Sequence, residues 1–108
     1  MIDLPRLAEL ISTYEGHGWI LRRVVLIEPA AWSLSSVIGS TPIREGAVDA
    51  AWFSRPAKAG PNAWEIRYLG SAQFALVEHL EEGAPDFEEK IRVIEESLRD
   101  TVVAKGAS

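Results

Sequence analysis

The chain has 108 residues, 47% hydrophobic and 25% charged, with 11 Lys and Arg against 16 Asp and Glu and a net charge of −5. That is the balance of one soluble domain, residues 1–108, with enough apolar material for a core. The acidic excess lacks the electrostatic footprint of a nucleic-acid binder, and the absence of Cys excludes disulfides, thiolate metal sites and thiol nucleophiles.

Lack of Cys fits a cytoplasmic protein. The opening MIDLPRLAELIS has an early Asp and no apolar core, unlike a signal peptide. The longest apolar run, Val24-Val25-Leu26-Ile27, is far too short to cross a bilayer, so no membrane is expected.

In chain order, Asp3 to about Glu15 reads as a helix. Asp3 can cap it, and Pro5 is tolerated in the first turn. Leu4, Leu7, Leu10, Ile11 and Tyr14 form one apolar stripe. Gly16 or Gly18 supplies the left-handed cap. Trp19 to Glu28 is the first strand. It is apolar on both parities, a pattern that asks for cover on both faces. Pro29 to Gly46 is rich in Ser, with Gly39 and Pro42, and reads as a loop holding a short helical turn or a weak edge strand. Ala47 to Arg55 is the next strand, and PAKAGPN after it is loop.

Ala63 to Leu80 reads as a hairpin. Trp64, Ile66 and Tyr68 share a face in its first strand, and Phe74 and Leu76 extend it in the second. Gly70 can supply a positive φ at the turn. Asp86 to about Val103 is an amphipathic helix with Phe87, Ile91, Ile94, Leu98 and Val102 on one stripe. Asp86 and Glu89 resemble a capping box. Glu88–Arg92 and Glu95–Arg99 are spaced as i,i+4 pairs. Together these elements predict an α+β two-layer sandwich. Its sheet is an antiparallel meander of four to five strands, with the N-terminal and C-terminal helices on one face.

No catalytic motif rises above background; the reading leans away from an enzyme without deciding it, and no cofactor is expected. His17 and His79 lack HxH or HExxH spacing, so surface histidine outweighs a metal role. The serines of 33–40 lack a GxSxG elbow, and Gly39-Ser40-Thr41 lacks the glycines and Lys of a phosphate loop. Trp52 and Trp64 fall on the core parity, which outweighs a stacking role.

Two functional readings remain. The first is a small acidic protein-interaction or chaperone-like module, a homodimer that also binds a protein or peptide. Its contact is the mixed sheet face, through Phe53, Leu69, Val77, Arg55 and Arg67. The helix–sheet–helix plan is similar to that of small dimeric secretion chaperones, a likeness of fold plan alone. The second is a small-molecule binder or enzyme with a pocket under the 29–46 loop, lined by Trp32, Ser36, Thr41 and Arg44.

Overall fold

The computed structural model describes residues 4–29, 35–70 and 72–106. The elements run α1 (Leu4–Gly16), β1 (Ile20–Leu26), α2 (Ser35–Ile38), β2 (Ile43–Glu45), β3 (Ala50–Arg55), β4 (Ala63–Tyr68), β5 (Ala75–His79) and α3 (Phe87–Ala104). The strands form one sheet in the order β2-β1-β3-β4-β5. This is an α+β fold, a five-stranded sheet with a helix at each end of the chain. The sheet is not a pure meander. β2 lies parallel to β1, with Val24 opposite Ile43, and the other neighbours are antiparallel. A parallel return needs a crossover, and the segment carrying α2 provides it. The 29–46 stretch thus holds both a helical turn and a short edge strand.

The two long helices lie on opposite faces of the sheet, not on one. On one side Leu7, Ile11 and Tyr14 of α1 pack with Val24, Leu26, Ala51, Phe53, Leu69 and Ile38. On the other, Phe87, Ile91, Leu98 and Val102 of α3 pack with Val25, Ala50, Trp52, Trp64, Ile66 and Tyr68. The reason is in β1 and β3. Neighbouring residues such as Val24 and Val25, or Trp52 and Phe53, point to opposite faces and are all buried. Each face therefore has its own core and needs its own helix. Trp64, Ile66 and Tyr68 face α3 alone.

Glycines serve two different needs here. Gly18, at φ 88, turns the chain out of α1, while the Trp19 N–H donates back to the Tyr14 carbonyl at 3.1 Å. Gly70 is not among the positive-φ glycines. It is required by close approach, since a Cβ there would lie 2.2 Å from the Tyr68 ring.

β1 carries a bulge. Leu21 pairs with Phe53 and Arg23 with Trp52, which leaves Arg22 as the extra residue. Both arginines reach the α3 side. Arg22 lies 4.6 Å above the Trp64 ring and donates to Ser54 Oγ at 2.9 Å. Arg23 grips Glu88 of α3 through two hydrogen bonds of 2.9 and 3.0 Å. The anticipated Glu88–Arg92 and Glu95–Arg99 pairs give way to others. Glu88 turns to Arg23, Glu95 accepts from the Trp52 indole, Arg92 approaches Glu89 and Arg99 pairs with Asp100. Asp86 stands at the N-cap of α3 but makes no side-chain cap bond. Its carboxylate lies 3.5 Å from Lys90 Nζ.

These placements order three substitutions. Leu98 is fully buried, so Leu98→Ala should cost ~2–5 kcal/mol. Ile94, half-buried at the core's margin, should cost less than Leu98 when cut to Ala. Asp86→Ala should stay within about 0.5 kcal/mol, the range of surface changes. Urea denaturation midpoints of the three variants would test the order.

Candidate functional site

The structure separates the residues proposed from sequence. Phe53 and Leu69 lie under α1 in the core of their own chain. They are therefore not available as surface contacts, because α1 supplies the cover that a second subunit was expected to give. Arg55 is exposed, with its guanidinium 4.6 Å from the Trp19 ring and Nη1 donating to the His17 carbonyl at 3.2 Å. Arg67 is half-buried, and Val77 is 53% exposed. Of the pocket residues, Trp32 lies outside the described residues. Ser36 and Arg44 are exposed and Thr41 is half-buried. None of these three lines a cleft described below. His17 and His79 are exposed, His17 in the turn after α1 and His79 at the end of β5, with His79 Nδ1 3.3 Å from the Pro61 carbonyl. Among the described residues no three His, Asp or Glu side chains converge as a metal site would require. Also among them, no helix is long and apolar enough to cross a membrane.

A polar cluster sits where α1 stops covering the sheet. Tyr14 stacks on Phe53 at 4.0 Å, and its hydroxyl donates to the Glu65 carboxylate. Burial, then the bond to Glu65, pushes the Tyr14 phenol up to about 12. At neutral pH it is therefore a hydrogen-bond donor and not a base. Clefts flank this pair. One of about 310 Å³ is lined by Arg6, Glu9, Thr13, Arg67 and Gln73 among others. One of about 300 Å³ lies between His17, Trp19, Arg55 and Glu65.

On the α3 side, Trp52 Nε1 donates to Glu95 Oε2 at 2.9 Å. Burial holds the Glu95 carboxyl above its ordinary value, against the opposing pull of the indole and of Arg23. Gly46 permits the arrangement, since a Cβ there would meet Val25 Cγ1 at 2.4 Å and Glu95 Oε1 at 3.4 Å. From sequence, Glu95 reads only as the partner of Arg99 in an i,i+4 pair. The signal that this reading misses is a carboxylate one residue from Ile94, set against a buried indole that needs an acceptor.

The β5 end of the sheet is open. β5 is exposed along most of its length, in contrast to β3 and β4. Between β5 and α3 runs a groove. One part, about 440 Å³, is lined by Glu78, Leu80, Asp86, Glu89, Lys90 and Val93. A second, about 300 Å³, continues past Leu76, Val93, Ile94 and Ser97. The groove is open and shallow, with apolar Leu76, Val93 and Ile94 beside charged Glu78, Asp86, Glu89 and Lys90.

Two pH effects follow. Tyr14 is raised in the fold, so its contribution to stability is complete below pH 10 and lost as pH rises toward about 12. Tyr14→Phe should flatten that alkaline limb in urea titrations. Tyr68, also raised by burial, should leave a residual slope. Glu95 is likewise raised. Its favourable contribution belongs to the acid side of its unfolded value and is lost as it ionises. Glu95→Gln keeps an acceptor for the indole, so its denaturation midpoint should exceed wild type at neutral pH and approach it in acid. Compared with family models, with curated proteins and with solved structures, the chain shows no significant match to any of them.

Proposed function

We propose that this chain is a small acidic protein-interaction module that forms a symmetric homodimer through the open half of its α1-side sheet face. The observation that carries this reading is where α1 ends its cover. The α1-side core takes its strand residues from β1 and β3. Beyond it, Ala75 and Val77 of β5 stand exposed beside the half-buried Glu65 and Arg67 of β4. The strip has an apolar centre and charges of both signs. A two-fold axis can therefore set each subunit's Arg67 against the other's Glu65. The absence of Cys suits work in the reducing cytoplasm.

Val77 takes over the role that Phe53 cannot fill. Light scattering of the wild type should give twice the chain mass. Val77→Glu, with a charge at the centre of the strip, should halve that mass and leave the circular dichroism unchanged. A wild type that stays monomeric at its highest soluble concentration would overturn the dimer.

A further inference from the structure

We propose that β5 and the groove beside α3 form a docking site for an extended peptide segment of another protein, which adds as a sixth strand and is recognised by an apolar and a basic side chain two residues apart. The site lies on the free edge of β5 and the α3 side of the sheet, whereas the proposed dimer uses the α1 side, so the two stand or fall separately.

The backbone register gives the first ground. β5 is the last strand of the sheet. The Tyr68 N–H donates to the Phe74 carbonyl at 2.9 Å, and the Leu80 N–H to the Asn62 carbonyl at 3.1 Å. With Leu76 opposite Ile66 and Glu78 opposite Trp64, the alternation of an antiparallel ladder directs Phe74, Leu76, Glu78 and Leu80 toward β4. The N–H and C=O groups of Ala75, Val77 and His79 then point outward along the edge. Their spacing is the one that strand addition uses.

The two edges of the sheet differ. β2 is three residues long, follows Pro42 and carries Arg44 and Glu45. Short length, proline and charge are the devices that keep an edge from pairing. β5 has five residues, Ala75–His79, with no proline and no lysine among them.

The groove gives the second ground. Alternate side chains of an added strand would project toward α3. At the Leu76 end they would meet Val93 and Ile94, with Val93 55% exposed. Toward Leu80 they would meet three carboxylates, Glu78, Asp86 and Glu89, with His79 beside them and Lys90 already next to Asp86. The lining is thus apolar at one end and acidic at the other. That complements an apolar side chain and a Lys or Arg two positions along. A second copy of β5 fits less well. Paired about Val77, it would set Glu78 against Leu76 of its mate and bring a second glutamate to the same edge.

The probe is a fluorescein-labelled nonapeptide in which threonines alternate with two valines and then two lysines, made also in the reverse order to suit either strand direction. Fluorescence anisotropy should show saturable binding of at least one order. Affinity should fall at least tenfold when glutamates replace the lysines, when Glu78→Lys is introduced, and progressively with added salt. Amide exchange followed by NMR should show the Val77 and His79 N–H groups gaining protection at saturation, with Leu76 and Glu78 unchanged. No saturable binding, equal binding of the glutamate peptide, or binding without protection at Val77 would overturn the site. So would protection of Val77 that grows with protein concentration alone, which would give the edge to a second copy. Light scattering on the same samples reads the dimer separately.

Discussion

β3 is buried on both faces, and the rest of the molecule is arranged to satisfy it. Trp52 and Phe53 are adjacent and both fully buried, one in each core. Burying two such rings stabilises the fold by several kcal/mol, at about 1.5–3 kcal/mol for a fully buried large apolar side chain. That gain requires apolar cover above and below the same strand. α1 provides it on one side through the stacking of Tyr14 on Phe53, and α3 on the other through Ile91 and Leu98. The polar atom brought in with Trp52 also needs a partner, and Glu95 supplies it at the cost of burying part of a carboxylate.

The bulge in β1 does for the α3 side what Tyr14 does for the α1 side. By inserting Arg22, it lets two consecutive arginines reach one face of the sheet. One caps the Trp64 ring, and the other ties the first turn of α3 to the sheet through Glu88. Arg23 also draws the Glu88 carboxyl below its ordinary value. Carboxylates favour the start of a helix on dipole grounds, so Glu88 serves the helix and the sheet at once. The N-terminus of α3 is held by this tertiary clamp and not by a side-chain cap from Asp86.

Periodicity made most of the elements legible. The stripe of Leu7, Ile11 and Tyr14 and the alternation of Trp64, Ile66 and Tyr68 are local patterns, and both appear as buried faces. The first strand was apolar on both parities and required cover on both sides, which is the arrangement found. What did not follow was which helix went where, because two amphipathic helices satisfy a one-faced or a two-faced sheet equally well until β3 is known to be buried twice. The bulge was invisible for a similar reason. Leu21-Arg22-Arg23-Val24 alternates no differently with one extra residue than without. The parallel pairing of β2 depends on a segment whose serines and glycines carry little periodic signal. Of the candidate interface residues, Val77 is exposed and Arg67 half-buried, whereas Phe53 and Leu69 are buried under α1. Strand parity gives the face of a residue but not the extent of the helix above it.

That extent also explains why β5 is open. A helix with its side chains is about 10 Å across, and neighbouring strands lie about 4.8 Å apart. One helix therefore covers about two strands, whereas a five-stranded sheet is about 19 Å wide. On one face α1, with help from Val37 and Ile38 of α2, serves β1 and β3. On the other, α3 packs its buried face on Val25, Trp52 and Ile66, and meets β5 at the half-buried Leu76 and Ile94, leaving most of β5 exposed. The shortfall falls on the last strand from both sides at once. Its outer edge is bare for the separate reason that nothing follows it in the sheet. β5 thus offers a face, an edge and a groove within one five-residue strand, and all three come from the mismatch between sheet width and helix count. The neighbouring acids of α3 add a charge preference to a surface that geometry had already left uncovered.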